Sequence, residues 1–134
     1  MLDLKELLVD TKSTWVEYPG LKDFMVEVAM LSRPELTKLR KKSLITKMDR
    51  KTRTPVESLD EDKFVSLFAK ATIKNWKGLT LKHLSSLVLV DIAGKDETLE
   101  LEYSVENAEM LISNSSEFDS WINEVVFDLN NFRS

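Results

Sequence analysis

Cysteine is absent from this chain of 134 residues, histidine occurs once, and glycine and proline occur three times each. Without thiols there can be no disulfide, no thiolate metal site and no thiol nucleophile, a pattern that suits a reducing cytosol. A zinc centre lacks ligands when His83 is the only imidazole. The glycines stand apart at 20, 78 and 94, which leaves no glycine-rich loop to cradle a phosphate. So few glycines and prolines also leave little room for flexible linkers. The longest strongly apolar run is Leu87–Val90, far short of the ~20 residues of a membrane span. The start, MLDLKELLVD, is short and acidic where a secretory signal would be basic and then apolar. The expectation is a soluble protein with no enzymatic activity, no metal, no cofactor and no membrane contact. Its length fits one domain over 1–134, and 43% hydrophobic residues suffice for a core.

Charge is what the chain has in abundance, and it is unevenly placed. Residues 1–77 carry 16 Lys/Arg against 12 Asp/Glu, whereas residues 78–134 carry 3 against 11. Between Lys38 and Arg53 lie eight cations, Lys38, Arg40, Lys41, Lys42, Lys47, Arg50, Lys51 and Arg53, with the single acid Asp49. Such polarity provides either two solvated faces of one domain or complementary ends for head-to-tail association.

Along the chain, Leu4, Leu7 and Leu8 recur at helical spacing within Leu2–Val9. Thr14–Tyr18 is rich in aromatic and β-branched residues, and Phe24–Met30 alternates with the period of a strand. Tyr18-Pro19-Gly20-Leu21 between them fits a type II turn, so a β-hairpin is expected over about 14–31. Ser32-Arg33-Pro34-Glu35 forms a capping box that opens a basic helix, and the polar stretch to 57 reads as a mobile basic hairpin or loop. A second capping box, Ser58-Leu59-Asp60-Glu61, opens a helix with a wide apolar face of Phe64, Leu67, Phe68, Ile73 and Trp76. Gly78 suits its left-handed end. Thr80–Val88 is a short helix, with a strand over Leu87–Ile92 as the alternative, and an acidic turn spans Asp91–Glu102. Ser104 caps a further helix, Asn114-Ser115-Ser116 interrupts it, and Phe118, Trp121, Ile122, Val125 and Leu129 line the last. The reading is an α+β fold, mostly helical: the hairpin, a basic helix and loop over 33–57, and a helical core over 59–130 that makes a bundle of about five helices.

Few residues offer chemistry. His83 sits beside Lys82 on a helix surface. Asp60-Glu61-Asp62 complements a helix dipole, and Asp96, Glu97, Glu100 and Glu102 lack the spacing of a calcium loop. The cations at 38–53 could neutralise phosphates, but no aromatic residue stands between Phe24 and Phe64 to stack on a base. An overall pI near 5.1 likewise disfavours nucleic acid. Trp76 and Trp121 fit core stripes. Trp15, Phe127 and Phe132 fit them less well and would form an adhesive patch if exposed.

Three phrases resemble a known family. Ile73-Lys74-Asn75-Trp76-Lys77-Gly78-Leu79 is similar to a W-x-G-apolar phrase, Tyr103-Ser104-Val105-Glu106-Asn107-Ala108 to a Y-S-x-E-N-A helix start, and Phe118-Asp119-Ser120-Trp121-Ile122 to a closing F-x-x-W-I helix. In this order, after a hairpin leading into Leu31-Ser32-Arg33-Pro34-Glu35-Leu36, they resemble the tail assembly chaperones of bacteriophages with long non-contractile tails. The resemblance implies a protein of the host cytoplasm, absent from the mature virion, that binds the tape-measure protein and keeps it soluble. It further implies help in recruiting tail-tube protein, self-association into rings or spirals, and partnership with a frameshifted longer form. The short segment after Leu129 is compatible with the shorter product. In this reading the partner or self-association residues are Lys38, Arg40, Lys41, Lys42, Arg50, Lys51 and Arg53, with Trp15, Phe127 and Phe132. The basic segment 38–53 of one copy would meet the acidic C-terminal part of the next. The rivals are a structural tail or head–tail component of the virion and a phage-encoded nucleic-acid-binding regulator.

Overall fold

The computed structural model describes residues 2–7 and 13–132. A short helix α1 (Leu4–Leu7) precedes strands β1 (Ser13–Glu17) and β2 (Met25–Ala29); positions 8 and 9 of the expected first helix lie outside the described residues. β1 and β2 pair antiparallel with Val16 opposite Val26 and Trp15 opposite Glu27. The turn between them is as expected: the Leu21 N–H donates to Tyr18 O and Gly20 has φ +84°. The N-terminal hairpin is therefore present, within an α+β fold dominated by helices.

α2 (Arg33–Lys42) starts at Ser32, whose Oγ accepts the Glu35 N–H and donates to the Glu35 carboxylate. Arg40, Lys41 and Lys42 occupy its last turn, where the helix dipole favours cations. The next stretch forms an antiparallel ribbon, β3 (Leu44–Met48) paired with β4 (Pro55–Leu59). The buried Ser43 anchors its base: Ser43 Oγ donates to Leu39 O, and Ser43 O accepts the Asp60 N–H at 2.8 Å. α3 (Glu61–Thr72) is capped by Asp60, which accepts the Lys63 N–H, and not by Ser58. Ser58 is drawn into β4 opposite Ile45, so strand pairing overrides its capping signal.

The largest departure from expectation follows Thr72. The helix stops there, and Ile73–Lys77 forms β5, which pairs antiparallel with β2 to give a sheet of order β1-β2-β5. Ile73 and Trp76 both face the core although they are three residues apart. A bulge makes this possible: Val26 stands opposite Trp76 and Val28 opposite Ile73, with one extra residue on β5. A spacing of three imitates a helical stripe, and sheet pairing with β2 decides the outcome. Gly78 is consequently not a helix end. It has φ +75°, and a Cβ there would lie 2.0 Å from Asp23 O. Its hydrogen in place of a side chain lets the end of β5 pass beneath the hairpin turn.

α4 (Leu81–Leu87) is capped by Thr80, and the following segment forms no strand. An acidic loop returns to meet it, with Thr80 bridging Glu100. α5 (Val105–Asn114) and α6 (Ser116–Phe127) are capped by Ser104 and Ser115, and a 3-10 turn (Leu129–Phe132) follows. The last helix thus ends before Leu129. The sheet's inner residues Val26, Val28, Ile73 and Trp76 join Phe68 and Ala69 of α3, Ala108, Leu111 and Ile112 of α5, and Phe118, Ile122 and Val126 of α6 in one core.

Candidate functional site

The three phrases that drew attention in the sequence converge on this core. The Trp76 ring meets Tyr103 edge-on at 5.3 Å and its Nε1 donates to Leu101 O. The Tyr103 hydroxyl donates to Ile73 O, which ties the loop before α5 to the edge of the sheet. Phe118 is wholly buried and stacks on Tyr18 at 6.0 Å; Trp121 tilts against Tyr18 at 4.8 Å. The phrases therefore pack the fold together, with Trp121 half-buried at the edge of the core.

The cations supply one such surface. Lys38, Arg40, Lys41 and Lys42 are exposed along α2, and Lys47, Arg50, Lys51 and Arg53 are exposed on the ribbon. The distal ribbon is solvated on both faces, since Lys47, Met48, Pro55, Val56 and Glu57 are all exposed. Met48 and Val56 remain 66% and 46% accessible. A two-stranded ribbon gains little stability from such residues in water, so their burial must come from outside the chain if it comes at all. The tip is tightly closed. The Lys51 N–H donates to Asp49 Oδ1, the Asp49 N–H to Thr54 O, and the Arg53 N–H to Asp49 O at 2.7 Å. Asp49, the single acid of the basic run, serves as this turn's acceptor and leaves Arg50, Lys51 and Arg53 pointing to solvent.

The expected aromatic patch divides. Trp15 is 39% exposed on the outer face of the sheet, with the Lys77 ammonium 5.0 Å from its ring. Phe127 is 43% exposed on α6, but Phe132 is 3% exposed and belongs to the core. Phe132 thus leaves the candidate surface, because the 3-10 turn packs against β1 and α6 and buries its ring in the core. No described contact brings Trp15 and Phe127 together.

A second surface was missed in the sequence. The hairpin turn meets α6 in two shallow recesses of about 230 and 250 Å³ that share Tyr18, Pro19 and Glu117. Ser120, Trp121 and Glu124 complete the first; Gly20, Leu21, Ser86 and Leu87 complete the second. Burial pushes the Tyr18 phenol up to about 12, helped by the charge of Glu117 and a hydrogen bond to it. The phenol therefore stays protonated; the buried Tyr18 floors the groove and the exposed Glu117 lines its rim. Glu117, Trp121 and Glu124 follow one another at i, i+4 and i+7, a spacing that places them on one helix face. Assigning Trp121 wholly to the core hid that pattern.

The remaining polar groups have local duties. His83 Nε2 lies 2.9 Å from Lys22 O, joining α4 to the hairpin turn. Asp96 accepts both the Thr98 N–H and its hydroxyl, which holds the Asp96 carboxyl below the usual range. Among the described residues no group of three His, Asp or Glu side chains is placed to hold a metal ion. No helix among them is long and apolar enough to cross a membrane.

No curated protein and no solved structure matches the chain. A family model described as YdaY prophage protein does match, over residues 32–134, from the Ser32 cap of α2 through the ribbon and the helical core. The chain belongs to the YdaY prophage protein family.

Proposed function

We propose that this phage-associated chain is a tail assembly chaperone, which binds the tape-measure protein in the host cytoplasm, keeps it soluble and helps recruit tail-tube protein. The observation that carries the reading is the protruding ribbon, which sets the exposed Met48 and Val56 among Lys47, Arg50, Lys51 and Arg53. A tape-measure protein is a long helix with apolar stripes, and holding one calls for many weak copies of a mixed apolar and charged contact rather than one tight pocket. The order of the three phrases resembles that of such chaperones, and the chain's prophage family is compatible with a tail role. Self-association in an open head-to-tail array, together with a frameshifted longer form, would supply the many copies. The reading gives the chain no catalytic role and no cofactor.

The alternatives differ in where the protein ends up and what it holds. Peptide mass spectrometry on induced cells and on purified particles should find the chain abundant in the cells and absent from the particles. Stoichiometric peptides in the particles would instead make it a structural tail component. Steeply salt-dependent binding to DNA, through the same cations, would favour the regulator.

A further inference from the structure

We infer that the groove between the hairpin turn and α6, floored by Tyr18 and walled by Pro19, Glu117, Trp121 and Glu124, receives the ribbon tip of a second copy of this chain. The inference rests on the self-association in the reading above and gives it a specific seat.

Charge complementarity selects the occupant. α6 carries Glu117, Asp119 and Glu124 and no cation along its whole length. The ribbon tip carries Arg50, Lys51 and Arg53, all exposed, with Asp49 turned inward as the turn's acceptor. The shapes correspond as well. The two recesses adjoin, since both are lined by Tyr18, Pro19 and Glu117, so neighbouring side chains of one narrow turn can occupy both. A guanidinium in the first recess would meet carboxylates at Glu117 and Glu124 and the face of Trp121, the combination that favours arginine over other side chains. Both partners are formed in advance. The tip is closed by its own backbone bonds, and the groove is backed by the buried Tyr18 packed on Phe118 and Trp121, so little ordering entropy opposes docking. Groove and ribbon are separate surfaces of one chain, so each copy can give and receive at once. That contact is heterologous and extends into a ring or an open spiral.

Charge reversal tests the pairing on the full chain by sedimentation velocity over a range of protein concentrations at low and high salt. The wild type should associate reversibly and dissociate as salt rises. R50E/K51E/R53E and E117K/E124K should each weaken self-association about tenfold or more. An equimolar mixture of the two should reassemble, because the reversed groove of the second lacks only the reversed tip of the first. Glu117 lies beside the buried Tyr18, so the exposed Glu124→Lys alone serves as a milder variant, expected to weaken association about threefold. Thermal melts verify that each variant folds. If folded variants assemble like wild type, or the mixture fails to reassemble, the groove is not the seat. Those results would leave the tape-measure reading standing, whereas a wild type that stays monomeric at every concentration would overturn the self-association along with it.

Discussion

Gly78→Ala should destabilise the protein by roughly 2–4 kcal/mol, far more than a methyl group in a loop ordinarily costs. The added Cβ would lie 2.0 Å from Asp23 O and 2.8 Å from Asp23 C, and both are backbone atoms that cannot rotate aside. Asp23 is itself held at φ +69°, and the next residue, Phe24, is wholly buried, so the turn cannot retreat without disturbing the core. The left-handed backbone of Gly78 adds about 1 kcal/mol for any L side chain. Gly20 and Gly94 separate the two contributions. They have φ +84° and +78° with nothing within 4 Å of a built Cβ, so Ala at either should cost only about 1 kcal/mol. Thermal unfolding of the three variants reads the difference, with a drop of roughly 10 °C expected for Gly78→Ala. Equal losses at all three positions would mean that β5 does not pass beneath the hairpin turn as described.

Phe118→Ala should cost about 3–5 kcal/mol, a large share of the roughly 5–15 kcal/mol that holds a domain of this kind together. Its ring is inaccessible and touches Tyr18 at 6.0 Å and Trp121 at 5.8 Å between centroids. Removing it opens a void where the hairpin turn meets α6, and the fully buried neighbours Phe24 and Ile122 have little freedom to fill it. Phe127, nine residues along the same helix and 43% exposed, provides the control, with a change within about 0.5 kcal/mol. Urea denaturation with an unchanged slope would show that the native state alone is affected. Since Phe118 supports both Tyr18 and Trp121, the milder Phe118→Leu should also loosen the acidic groove and weaken self-association.

Much of this architecture was legible because its signals are local. Pro19-Gly20 and the alternation over Phe24–Met30 gave the hairpin, and Ser32 and Ser104 each cap the helix that the pattern assigned to them. What stayed hidden depends on tertiary contact. Ile73 and Trp76 sit at a helical spacing only because a bulge inserts a residue between them, and nothing in the sequence marks the pairing with β2. Ser58 and Asp60 both carry a capping signal, and the ribbon register decides between them. The cations were visible as a run, but the closed tip that presents Arg50, Lys51 and Arg53 depends on backbone bonds around Asp49. The groove was overlooked because Trp121 does two things, packing one side against Tyr18 and lining a recess with the other.

The most direct measurement of the central claim is the soluble fraction of the tape-measure protein expressed with and without this chain. The account predicts that the tape-measure protein aggregates alone, stays soluble beside the wild-type chain and co-purifies with it. Met48→Ser with Val56→Ser, which removes the exposed apolar residues of the ribbon and leaves its charge, should cut that soluble fraction several-fold. A tape-measure protein equally insoluble with and without the wild-type chain would contradict the account.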